Sequence, residues 1–219
     1  MQVTILGAGN MARGIATRLL AGHHEVLILD RDAGQAATLV DELRSGSDGR
    51  VTAGTIGDPL IGDVVILAVP YPAAPGLVQK YTDQLDGRTI VDVTNPLNPS
   101  YDALSTPADS SAAEQIAQVA PPGASVVKAF NTTFAGPLLT GRAGGQPLDV
   151  FLAGDDPAAK AKVTELIEAG GLRALDAGPL ARARYLEGIG LLHITLQRSL
   201  GTRFATAVAI VGAISGSSR

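Results

Sequence analysis

The run Val3-Thr4-Ile5-Leu6 passes without a break into Gly7-Ala8-Gly9-Asn10-Met11-Ala12, and this junction constrains the fold more than any other stretch of the chain. A β-branched run that ends on glycine and restarts as a helical stretch predicts a strand, a tight turn and a helix. The spacing is G-x-G-x-x-G/A. In that pattern Gly7 permits the turn, Gly9 lets the backbone approach a diphosphate, and Ala12 is small enough for close helix–sheet packing. The amides of Asn10 and Met11 at the helix start, aided by the helix dipole, are then placed to hold phosphate oxygens. A glycine turn that merely connects two elements is the plainer reading. Against it, the next apolar run ends at Asp30, about 20 residues further on, where a carboxylate accepts hydrogen bonds from an adenosine ribose.

Further apolar runs follow at Val26–Leu29, Val64–Ala68, Thr89–Val93 and Ser125–Ala129, with a weaker one at Val51–Thr52. They alternate with helical stretches at Asn10–Ala21, Ala33–Leu43, Ala73–Tyr81 and Ser111–Val119. Nearly continuous apolar strands separated by helices predict a doubly wound, mostly parallel sheet covered on both faces, an α/β fold of Rossmann type. Later, Asp155-Asp156-Pro157 reads as a helix start and Gly170-Gly171 as its stop, between strands at Val150–Ala153 and Leu172–Leu175. The glycine-rich interval Gly136–Gln146 marks the expected boundary between a dinucleotide-binding domain, 1–140, and a small C-terminal α/β and helical domain, 141–219. From Leu180 onward Leu186, Ile189, Leu192 and Leu196 recur at helical spacing, which predicts a packing and dimerisation helix and hence a homodimer. The stretch Phe204–Ile214 is too short to span a membrane, which takes roughly 20 apolar residues, and reads as a buried helix.

Among its 219 residues the chain has no cysteine, which excludes disulfides, thiolate metal sites and cysteine nucleophiles. A net charge of −4 with scattered Lys and Arg argues against nucleic acid and membrane as partners and for a small molecule. No metal-ligand spacing is visible. The chain enters a strand at once, with no basic leader, so cytoplasmic residence is expected.

The chain resembles the NADPH-dependent deazaflavin (coenzyme F420) reductases, a family related to the oxidoreductase domain of the six-transmembrane ferric reductases. The likeness rests on Gly7-Ala8-Gly9-Asn10-Met11, Val126-Val127-Lys128-Ala129-Phe130-Asn131-Thr132, Val150-Phe151-Leu152-Ala153-Gly154-Asp155-Asp156 and Leu175-Asp176-Ala177-Gly178-Pro179-Leu180. It implies NADP or NAD as cofactor, coenzyme F420 as co-substrate, and a nicotinamide lined by Ala68-Val69-Pro70, Asn95-Pro96 and Ala129-Phe130-Asn131-Thr132. These positions also lie at carboxyl ends of predicted parallel strands, where ligands of open α/β sheets bind. Where NADP-specific members resemble a Gly-Ser-Arg pattern, this chain has Leu29-Asp30-Arg31. A carboxylate there repels a 2′-phosphate, whereas Arg31 would grip one if Asp30 turned away, so both coenzymes stay open. The ferric reductases pass electrons to a membrane haem domain absent from these 219 residues, so the soluble branch is the expected match.

Hydride transfer between two flat heterocycles needs register and a dry pocket more than a side-chain acid. His193, within Leu191-Leu192-His193-Ile194, is the one histidine to test for proton transfer, with a core role as the plainer reading; His23 and His24 read as turn residues. Asn95 and Asn131 either orient a carboxamide or a carbonyl, or cap loops. Tyr71 either stacks on a ring or packs. Lys128 is expected to reach solvent or a phosphate, because an unpaired buried ammonium is costly. Three functions follow: hydride exchange between NAD(P)H and a deazaflavin, reduction of another acceptor (flavin, ferric chelate, imine or carbonyl), or non-catalytic NAD(P) sensing.

Overall fold

The apolar runs become strands whose central members are almost wholly buried, while the edge strands at Val51–Thr55 and Arg173–Asp176 are partly exposed, and the helices between them cover both faces of the resulting sheet. A computed structural model describes residues 1–46 and 50–212. In chain order it contains β1 (Gln2–Leu6), α1 (Asn10–Ala21), β2 (Glu25–Asp30), α2 (Ala33–Arg44), β3 (Val51–Thr55), β4 (Val64–Leu67), α3 (Ala74–Lys80), α4 (Thr82–Leu85), β5 (Thr89–Asp92) and α5 (Ala112–Val119). There follow β6 (Ser125–Ala129), α6 (Ala135–Thr140), the short pair β7 (Arg142–Ala143) and β8 (Gln146–Pro147), β9 (Asp149–Gly154), α7 (Pro157–Ala169), β10 (Arg173–Asp176) and α8 (Ala183–Leu200).

Eight strands form one sheet in the order β10-β9-β6-β5-β4-β1-β2-β3. Every pairing in it is parallel except β6 with β9, where Lys128 faces Ala153. The chain winds away from β1 to both sides, toward β2 and toward β4. That reversal opens a crevice at the carboxyl ends of β1 and β4, where such sheets take their ligands. Beyond the interval 136–146, β9 and β10 extend the same sheet. One core cluster packs Ile15, Leu19, Leu39, Leu138, Val163 and Ile167 from α1, α2, α6 and α7 onto one face. The other packs Val78, Leu85 and Ile116 from α3, α4 and α5, with Leu180 and Ala183, onto the opposite face.

Local chemistry sets the boundaries. Asp156 caps α7, its Oδ1 accepting from Ala158 N at 2.7 Å and Ala159 N at 3.3 Å; Ser125 also donates to it, and these bonds hold its carboxyl below the usual range. Helix α8 ends on Gly201, which is left-handed with φ +63°, and Arg203 and Phe204 remain left-handed at +49° and +61°. Those dihedrals stop the helix, so the buried helix expected over Phe204–Ile214 does not form. Residues 204–212 instead run as an irregular, largely exposed strap, and Ile214 lies outside the described residues.

The leucines of α8 divide between two faces of the helix. Leu186 is buried, but Leu192 and Leu196 are 59% and 41% exposed. The inward face carries Glu187, Gly190, His193 and Gln197. No helix among the described residues is long and apolar enough to cross a membrane.

Candidate active site

Two clefts flank the glycine turn. The first, of about 470 Å³, is lined by Gly7, Ala8, Gly9, Asp30, Arg31, Gln35, Ile56 and Ala68-Val69-Pro70, among others. Gly7 has φ +110°, and a Cβ on it would stand 2.3 Å from the Ala68 carbonyl oxygen. Only glycine fits between β1 and β4 there. Gly9 differs: its φ is −82° and a Cβ would meet nothing within 4 Å. It is the N-cap of α1, and no side chain caps that helix. Ala12 is fully buried beneath the turn. Asp30 is held by two backbone amides, Oδ2 accepting from Ala8 N at 2.8 Å and Oδ1 from Asp32 N at 2.9 Å.

The second cleft, of about 610 Å³, lies past the ends of β5 and β6 and is lined by Met11, Val93, Asn95, Asn131, Phe134, Arg198 and Phe204, among others. Asn10 lines a neighbouring recess with Arg13, Phe134 and Arg203. Asn95 and Asn131 form a pair. Asn131 Nδ2 donates to Asn95 Oδ1 at 2.9 Å and to Leu186 O at 2.8 Å, and Asn95 Nδ2 donates to Asn131 O at 2.8 Å. Both donor contacts of Asn131 go to oxygens, which fixes its amide orientation. Its Oδ1 is buried without a hydrogen-bond partner, as are Thr94 Oγ1 and Thr132 Oγ1. Gly190 lets α8 close over the pair, since a Cβ there would fall 2.4 Å from Asn95 Oδ1. Pro96, Ala129, Phe130 and Thr132 are buried behind these residues and line neither cleft.

Lys128 reaches neither solvent nor an open groove. Its Nζ is 2.8 Å from Asp92 Oδ2, 2.8 Å from Glu187 Oε1 and 2.5 Å from Thr94 O, with all three charged side chains fully buried. Glu187 also accepts from Ala112 N and Ala113 N at the start of α5. The sequence expectation for Lys128 fails because it foresaw no buried partner, whereas the fold supplies two carboxylates. Burial pushes the Glu187 carboxyl up, against the pull of Lys128.

His193 Nδ1 is 3.2 Å from Thr132 O, which requires a proton on Nδ1, and Nε2 is 2.9 Å from Thr206 Oγ1. Its ring stacks on Phe134 at 4.1 Å, and burial pushes its pKa down. It is therefore a neutral core histidine, off the cleft surface. Tyr71 lines neither cleft; its hydroxyl donates to Gln115 Oε1, and burial, with Glu187 and Asp92 nearby, pushes its pKa up.

What sequence reading missed is the strap. Gln197 Oε1 accepts from Thr202 Oγ1 at 2.6 Å and Phe204 N at 3.2 Å, while Nε2 donates to Thr206 Oγ1 at 2.8 Å. Further on, Asp149 and Arg173, joined at 2.5 Å, bind Ile210 N and Ile210 O, each at 2.7 Å. Phe204 meets Phe134 edge-on at 5.0 Å and completes the wall of the second cleft. The one local signal was the Gly201-Thr202-Arg203 break in the apolar pattern.

Comparison with known proteins adds the following. The family described as NADP oxidoreductase, coenzyme F420-dependent, matches residues 2–96. The F420-dependent NADP reductase of Methanothermobacter marburgensis is 32% identical over 207 residues, covering 90% of this chain and 92% of that protein. The metalloreductase STEAP3 of Rattus norvegicus is 34% identical over 190 residues, 87% of this chain, which spans only 36% of that protein. A crystal structure from an Arthrobacter species, provisionally assigned as an F420-dependent NADP reductase, superposes with a TM-score of 0.81 at 28% identity, covering 96% of this chain and 99% of that one.

Proposed function

The chain belongs to the coenzyme F420-dependent NADP oxidoreductase family, and from that membership we propose that its two clefts hold the two partners of a hydride transfer. It is an NAD(P)-dependent oxidoreductase, and the hydride passes between a nicotinamide dinucleotide and deazaflavin coenzyme F420 or a similar flat acceptor. The dinucleotide occupies the first cleft, its diphosphate on Gly9, Asn10 and Met11 and its adenosine ribose toward Asp30 and Arg31. The observation that carries this reading is Gly9, where the direction of a Cβ is open although its backbone needs no glycine. A diphosphate lying against the turn would fill that space.

The nicotinamide end reaches Ala68-Val69-Pro70 and the Asn95–Asn131 pair, with Pro96, Ala129 and Thr132 supporting it. The buried Oδ1 of Asn131 lacks a donor, and a carboxamide N–H is one. When bound, the nicotinamide supplies or takes the hydride. The protein's own part is to hold the rings in register and exclude water, and Met11, Phe134 and Phe204 give the second cleft an apolar wall for that purpose. A neutral His193 in the core leaves proton transfer outside its role.

The exposed stripe of Tyr185, Leu192, Leu196 and Leu200 on α8 supports a homodimer. The metalloreductase likeness favours a second acceptor class, metal chelates such as ferric chelates. Stopped-flow mixing of NADH- or NADPH-loaded protein with oxidised F420, flavin and ferric chelate tests the reading. Nicotinamide absorbance should decay with F420. Decay with another acceptor alone would shift the substrate, and binding without decay for any of them would make the protein a sensor.

A further inference from the structure

The carboxylate at the end of β2 decides between two dinucleotides that differ by one phosphate. If Asp30 swings away, Arg31 is free to grip a 2′-phosphate; if it stays, its negative charge faces that phosphate. Both of its oxygens are anchored, Oδ2 to Ala8 N at 2.8 Å within the glycine turn and Oδ1 to Asp32 N at 2.9 Å. Swinging away would break both bonds and strip Ala8 N of its acceptor. Anchoring does not use up the group, because a carboxylate has about four acceptor sites, so a ribose hydroxyl can still donate to it.

The neighbours add to the same sign. Asp32 caps α2, its Oδ1 accepting from Gly34 N at 2.9 Å and Gln35 N at 3.2 Å, which fixes a second carboxylate beside the first. The other residues of the cleft at this end, Gln35 and Ile56, carry no charge. Arg13, on the adjoining groove, is already paired with Glu42 at 2.7 Å. One exposed arginine, Arg31, therefore stands against two fixed carboxylates.

Resting on the first cleft as the dinucleotide site, we propose that this chain selects NAD(H) over NADP(H), with Asp30 as the specificity-determining residue. It departs in this from the coenzyme for which its relatives are named. A ribose with a free 2′-hydroxyl donates to Asp30, whereas a 2′-phosphate meets like charge in a turn that cannot relax without losing its own hydrogen bonds.

Calorimetric titration of the full chain with NADH and with NADPH tests this directly. NADH should bind at least about tenfold more tightly, and Asp30→Ser should move the ratio toward NADPH by a similar factor. Equal or tighter binding of NADPH to the unaltered chain would overturn the proposal whether or not the variant folds, and so would an unmoved ratio in a folded Asp30→Ser. Binding of neither coenzyme would instead remove the dinucleotide site itself, and the proposal with it.

Discussion

Lys128 joins β6, the end of β5 and helix α8 at one atom, since its ammonium holds Asp92, the Thr94 carbonyl and Glu187 together. Breaking such a buried cluster from one side is strongly destabilising, about 3–5 kcal/mol, because the remaining charge has nowhere to go. Glu187 gives the cluster a pH signature. Its pKa lies above the unfolded value because burial outweighs the attraction of Lys128, so its contribution to stability is complete at low pH and is lost as pH rises through the folded value. The stability of the unaltered chain minus that of Glu187→Gln, from urea melts between about pH 3 and about pH 8, should therefore fall with rising pH. A difference that rose with pH would mean the carboxylate is the favoured form. The two turn glycines separate fold from function. Gly7→Ala forces a side chain to φ +110° and into the Ala68 carbonyl, a strain of about 1–3 kcal/mol, and a chain of this length loses about 2–4 °C of Tm per kcal/mol. Gly9→Val should leave Tm within about 2 °C and abolish dinucleotide binding in calorimetry; retained affinity would take the diphosphate away from this turn. These glycines were legible in the sequence because their spacing carries a geometric requirement. Lys128 was not, since its carboxylate partners lie 36 and 59 residues away.

At the scale of elements, the strap and α8 form one unit, because Gln197 binds Thr202, Phe204 and Thr206 through a single side chain. Gln197→Leu keeps the volume and removes those bonds. Amide exchange over residues 202–206 should then accelerate at least about tenfold. Because Phe204 walls the second cleft and the neighbouring recess, which also take in Met11 and Asn10, but not the adenosine end of the first cleft, the KM for the acceptor should rise more than that for the dinucleotide; equal rises in both would mean the strap serves the dinucleotide as much as the acceptor. The elements themselves were mostly readable. Strands buried on both faces need unbroken β-branched runs, and those at Val3, Val26, Val64, Thr89 and Ser125 fall where β1, β2, β4, β5 and β6 form. Helix α1 spans the expected Asn10–Ala21, and Asp156 and Gly170 bound α7 as their types predict. The strap defeated the same logic. Its apolar residues 204–212 suit a helix by composition, yet Gly201, Arg203 and Phe204 sit left-handed, and beyond Gln197 its anchors, Arg173 and Asp149, lie 37 and 61 residues from Ile210.

For the whole molecule, the informative feature is the inverted burial of α8. A helix at the end of a chain normally hides its apolar stripe, but here Glu187, His193 and Gln197 face inward, each satisfied by partners. Tyr185 at 63%, Leu192 at 59% and Leu200 at 57% are left outside. Leaving several large apolar side chains in water forfeits about 1.5–3 kcal/mol for each that could be covered, and contiguous patches of this kind mark interfaces. The periodicity was visible in the sequence; its direction was not, because which side faces the sheet is set by the Lys128–Glu187 pair and the Asn131–Leu186 bond. In the homodimer we propose, a second copy meeting this face would pair α8 with α8 across a two-fold axis, the commonest closed arrangement. Leu192→Glu combined with Leu196→Glu places two like charges per copy at that contact. Sedimentation should then show a dimer for the unaltered chain and a monomer for the variant, with dinucleotide affinity unchanged because neither leucine lines the first cleft. Acceptor turnover should drop, since Ile194, Thr195 and Arg198 of the same helix line the second cleft and lose the support of the partner helix. A variant that remained dimeric would move the interface to another face, and an unaltered chain that sedimented as a monomer would leave the stripe with no second copy to cover it.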